Sequence, residues 1–119
     1  MANPGPATSA DVLGTTSVLT SEIGTIAAAG SSLATGTAIT TATTYVTGAD
    51  GTKGVVLPLG QIGQQYLVFN NAAAILKVYP SAATTAINGG SAGASVSIAA
   101  NKAGHFVMLT ATGVGAIYS

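Results

Sequence analysis

Residues 65–80 constrain this chain more than any other stretch. They hold two short apolar runs, Gln65-Tyr66-Leu67-Val68-Phe69-Asn70 and Ile75-Leu76-Lys77-Val78-Tyr79, separated by Asn71 and three alanines. β-Branched and aromatic side chains suit a pleated surface better than a helix. Alternation places Leu67 and Phe69 on one face of the first run and Tyr66 and Val68 on the other. In the second run, Leu76 and Val78 oppose Ile75, Lys77 and Tyr79. Apolar groups on both faces predict strands that are covered on two sides. Asn70-Asn71 suits a turn, because Asn tolerates a positive φ and hydrogen-bonds its own backbone. Pro80 stops the second run. The two runs are expected to form the central hairpin of an all-β domain.

The remaining chain adds short strands at turn spacing. Residues 1–24 contain Pro4, Gly5 and Pro6, then a weakly helical pattern with a Ser- and Thr-rich interior. They are expected to be an extended arm that clasps a neighbouring subunit or lies along a partner. Residues 33–41 and 43–47 read as strands on β-branched content. Gly48-Ala49-Asp50-Gly51 suits a tight hairpin. Residues 54–57 form a short strand closed by Pro58. Asn88-Gly89-Gly90 is the strongest turn signal, with Ile87 plugging the core. Val96 and Ile98 alternate inward, and 105–110 and 114–118 are the last strands. Residues 25–119 are therefore expected to be one β-rich module. Its expected form is a single small sandwich or barrel of about seven or eight short antiparallel strands. No repeat is long enough to argue for a solenoid.

Charge is almost absent. Asp11, Glu22 and Asp50 balance Lys53, Lys77 and Lys102, with no Arg. Nothing here steers the chain toward nucleic acid or an anionic membrane. A charge-poor surface is poorly soluble as a free monomer and suits a protein that lives in an assembly. High hydrophobicity argues against disorder, which pairs low hydrophobicity with high net charge. The absence of Cys excludes a disulfide framework and a thiolate metal site. Residues 1–6 lack the basic-then-apolar pattern of a signal peptide.

Acid–base chemistry needs positioned titratable groups, and this chain has three carboxylates and one histidine. His105, beside Phe106 and Met108, reads as a histidine at a strand edge or a subunit contact. A nucleophile needs a base with its own orienting partner, and no Gly-x-Ser-x-Gly elbow is present. Gly48-Ala49-Asp50-Gly51-Thr52-Lys53 lacks the order of a phosphate loop. Carboxylates do not cluster as an oxygen-ligand site requires. Tyr45, Tyr66, Tyr79 and Tyr118 sit in strand-like runs, where core or interface packing is the default. No catalytic, cofactor-binding or metal-ligating residue is nominated, and the chain is not expected to be an enzyme.

A series of short phrases carries a resemblance. They are Ile39-Thr40, Val46-Thr47-Gly48, Gly54-Val55-Val56-Leu57-Pro58, residues 63–71 and Leu76-Lys77-Val78-Tyr79-Pro80. Ile87-Asn88-Gly89, Ser95-Val96-Ser97-Ile98-Ala99-Ala100 and residues 105–109 follow. Together residues 25–119 resemble a small all-β module of tailed-bacteriophage virion proteins. The module occurs as a capsid decoration (cement) protein and in tail or fibre proteins. The resemblance implies a homo-oligomer, threefold before any other, attached to the major capsid protein on the virion surface. It brings no catalytic residues. The alternative it leaves is a tail-fibre or head-spike module that binds a host receptor or glycan through loops around residues 81–91.

Overall fold

A computed structural model of the chain describes residues 23–119. The arm expected over residues 1–24 lies outside the described residues, except for Ile23 and Gly24, which open the first strand. The described residues hold ten strands and no helix. In chain order these are β1 (Ile23–Ala27), β2 (Thr37–Ala38), β3 (Thr43–Thr47), β4 (Gly54–Val56) and β5 (Gln65–Asn70). Then come β6 (Leu76–Tyr79), β7 (Ala86–Ile87), β8 (Val96–Ile98), β9 (Ala103–Thr110) and β10 (Gly113–Tyr118).

The strands form two sheets. One is six-stranded, in the order β1-β3-β5-β9-β10-β7, and the other four-stranded, in the order β2-β4-β6-β8. From β1 to β6 the chain alternates between them, laying one strand in each sheet per coil. β1, β3 and β5 are parallel, and so are β2, β4 and β6. Three coils thus stack as in a solenoid. Beyond β6 the stack is closed by antiparallel pairs: β8 on β6, β9 on β5 and β10 on β9. The short β7 runs parallel to β10 at the far edge.

The all-β expectation holds. The antiparallel sandwich or barrel does not, because the sheets are mixed and the first half of the chain is a parallel stack. The central hairpin is overturned with it, since β5 and β6 lie in different sheets. The physical reason is where the inward side chains go. Tyr66, Val68 and Asn70 of β5 and Leu76 and Val78 of β6 are all buried. In a hairpin they would lie side by side on one sheet face. Here they enter a single core from opposite sides, with Val46, Phe106 and Met108 from one sheet and Val55 and Ile98 from the other. Sequence periodicity misses the coils because their lengths differ. Ile23 aligns with Thr43 and then Leu67, advances of 43 − 23 = 20 and 67 − 43 = 24 residues.

Turn chemistry was legible even where its use was not. Asp50 accepts from the Thr52 N–H (2.9 Å), the Thr52 hydroxyl (2.8 Å) and the Lys53 N–H (3.0 Å). This turn carries the chain from β3 across to β4 in the other sheet, instead of folding a hairpin. Those donors, the Thr52 amide first, hold the Asp50 carboxyl down to about 2 from an ordinary 3.8. A carboxyl whose folded pKa is depressed stabilises the fold above its ordinary pKa and loses that contribution as pH falls. Stability is therefore expected to decline from about pH 4 toward pH 2, in part through this group. The Asp50→Asn variant should show a shallower acid limb in urea titrations across that window. An unchanged limb would remove Asp50 from the acid response.

The Asn88-Gly89 signal is met directly. Both residues have positive φ (52° and 71°), and the Gly90 N–H donates to Ile87 O at 3.0 Å. That combination belongs to a type I′ turn. Ile87 is buried, as expected of a core plug.

Candidate interaction face

The outer face of the six-stranded sheet is the feature with the clearest capacity to act. Period-2 alternation sends one set of side chains from each strand into the core and the other set outward. The ladders then align the outward sets into rows. One row runs Ile23–Thr43–Leu67–His105–Ile117 across five strands. The next runs Thr25–Tyr45–Phe69–Ala103. Val107 and Leu109 extend the apolar surface along β9.

These residues are large and uncovered. Ile23 is 63% exposed, Phe69 43%, Leu109 58% and Ile117 80%. The expectation that β5 is covered on two sides is thus met on its inner face alone. Leu109 has no partner in the β9–β10 register, because the ladder shifts between Gly113 and Val114. Freed from the ladder, its side chain leans over Gly115, where a Cβ would fall 2.7 Å from Leu109 Cδ1. Beside it an open groove of about 240 Å³ runs between His105, Val107, Leu109 and Ile117.

The face is electrically quiet. The charged side chains among the described residues all lie elsewhere. Asp50 and Lys53 sit in the β3–β4 corner, Lys77 in the four-stranded sheet, and Lys102 in the turn before β9. His105 is on the face, in β9 between β5 and β10. Its Nε2 donates to Gln65 Oε1 at 2.9 Å. An amide oxygen orients the ring but is no acid–base partner, so this pair does not form a nucleophile–base constellation. No group of three His, Asp or Glu side chains gathers among the described residues. Of the four tyrosines, Tyr66 is buried in the core and Tyr79 lies against Gly54, while Tyr45 and Tyr118 are partly exposed.

The loop around residues 81–91 is tied down. Asn88 Nδ2 donates to Ala116 O at 3.0 Å, and the Ala116 N–H donates to Asn88 Oδ1 at 2.8 Å. The side-chain amide thereby continues the short β7 along β10. Sequence reasoning did not nominate the outer face, since no motif marks it. Its signal was the second apolar set in the alternating strands, Tyr45, Leu67, Phe69, Val107 and Ile117.

No family model, curated relative or solved structure matches the chain.

Proposed function

We propose that this chain is a non-catalytic structural protein that works by docking onto other protein surfaces. The observation that carries the reading is the outer face of the six-stranded sheet, which is apolar and has no charged side chain among the described residues. Burying such a face strips water from few polar groups, so little desolvation cost opposes the apolar gain. The phrases in residues 25–119 that resemble a phage virion module supply the partner. On this reading the chain is a decoration or cement protein. It binds the major capsid protein on the outside of a phage capsid, as a homo-oligomer, and stabilises the shell. Contacts repeated over a capsid lattice add by avidity, so each one need not be strong.

The test is the copy number of the chain in purified particles, measured by quantitative mass spectrometry against the major capsid protein. A number comparable to the shell subunit supports decoration. A handful of copies per particle overturns it in favour of a tail-fibre or head-spike module. The face itself is tested with Phe69→Lys, which alters an exposed position and should leave the fold intact. Losing a buried aromatic contact of about 1.5–3 kcal/mol predicts shell binding weakened at least about tenfold. Unchanged binding of a folded variant would remove the face from the reading.

A further inference from the structure

We infer that the outer edge of β1 is an interface between two copies of this chain, joined antiparallel about a twofold axis at Thr25. The two six-stranded sheets would then run on as one. The inference deepens the homo-oligomer part of the function proposed above and does not depend on the capsid part.

The first support is the direction of the backbone groups. The Ala28 N–H donates to Thr47 O at 2.8 Å. In a parallel ladder every second residue bonds to the same neighbour. Gly24, Ile26 and Ala28 therefore face β3, while Ile23, Thr25 and Ala27 turn their N–H and C=O groups outward. Among the described residues no strand pairs with this edge, and one side chain reaches it, the Thr37 hydroxyl that donates to Ala27 O.

The second support is the contrast between the two edges of the sheet. Natural edges are blunted by shortness, charge, proline or bulges, because an open row of backbone groups recruits another strand. The far edge is blunted in this way. β7 has two residues, and the Asn88 amide covers the β10 backbone beyond it. β1 has five residues, Ile-Gly-Thr-Ile-Ala, with no charge, no proline and no bulge. Nothing in it repels a copy of itself.

The third support is symmetry. A twofold axis at Thr25 pairs Thr25 with the partner's Thr25, and Ile23 with the partner's Ala27. All three residues are outward-bonding, so each pair is of the closely hydrogen-bonded kind. The exposed Ile23 side chain then gains a neighbour on the same face.

The chain contains no cysteine, so Thr25→Cys in the full chain creates its sole thiol. A closely bonded pair has Cα atoms about 5.5 Å apart, inside the disulfide range of about 4.4–6.8 Å. Two copies of Ala27→Cys would be about 13 Å apart along the strands. Mild oxidation should give a linked dimer at least tenfold faster for T25C than for A27C. Light scattering of the unaltered chain should report a dimer. Thr25→Lys places a charge on an outward side chain that makes no core contact, and should give a folded monomer. A monomeric unaltered chain overturns both the interface and the homo-oligomer reading. A trimer, or an oligomer in which T25C links no faster than A27C, overturns this interface and leaves homo-oligomerisation standing. A T25K variant that keeps the oligomer overturns it as well.

Discussion

Replacing Asn70 with Asp is expected to destabilise the protein severely near neutral pH. Asn70 is the last residue of β5 and is buried. Its Nδ2 donates to Ala74 O at 2.8 Å and to Ile98 O and Ala99 O, each at 3.1 Å. Ile98 ends β8 in the other sheet, so one amide ties β5, the corner that follows it and the facing sheet together. A carboxylate here would set an oxygen against three carbonyl oxygens with no cation beside it. A buried uncompensated charge costs about 3–5 kcal/mol, a large part of the 5–15 kcal/mol or so that holds a domain folded. The folded-state pKa of the new acid should be raised. Its penalty is then greatest at neutral pH and fades as the pH falls and the carboxyl protonates. Asn70→Ala removes the donors without adding charge and should cost less, about 1–3 kcal/mol. Urea denaturation of the three proteins at pH 7 and pH 4 checks the order. Equal stability of the Asp and Ala variants at pH 7 would show that the site admits water.

Phe106→Ala should be nearly as damaging, and Gly104→Ala should cost less beside it than alone. Phe106 is fully buried in β9. Truncating a buried Phe costs about 3–5 kcal/mol. Gly104 lies two residues earlier on the same inner face, under the ring. A Cβ at Gly104 would fall 2.9 Å from Phe106 Cε1 and 3.0 Å from Ile98 Cδ1. Gly104→Ala alone therefore overpacks the core, at about 1–3 kcal/mol. With the ring gone, the added methyl enters the vacated space. The double variant should be more stable than the sum of the single changes by at least about 1 kcal/mol. Strict additivity would mean that the ring is not what keeps position 104 small.

Both sites show what the residues announce and what they leave open. Asn70 was recognisable as special, but turn chemistry suggested a positive φ and a local bond. It is a strand residue without a positive φ, whose side chain makes one local bond, to Ala74 O, and also reaches partners 28 and 29 positions away. Preference for turns is a local property, and the carbonyls that Asn70 meets are assembled by the packing of two sheets. Phe106 and Met108 point inward, as alternation in β9 requires, yet nothing local reveals that Gly104 is small to admit the Phe106 ring. His105 lies on a strand, as expected, near the start of β9. Its outward direction follows from alternation. Its central position follows from β9 lying between β5 and β10, which pair with it from sequence distances that no local pattern encodes.

What the residues determined by themselves is direction. In β3, β5, β6 and β9 the two-residue period assigns each side chain to the core or to the surface, because successive Cβ atoms point to opposite sides of a pleated strand. Asp50 and Asn88-Gly89 likewise determined where the backbone turns. The choice of neighbours was decided only in the tertiary structure. Alternation is the same whether β5 folds back on β6 or crosses to the facing sheet, and a corner and a hairpin use the same turn residues. The parallel stack prevails because it lets Val68 and Val78 fill one core from opposite sides. The same stacking leaves Tyr45, Leu67, Phe69 and Ile117 on an outer face that the described residues do not cover.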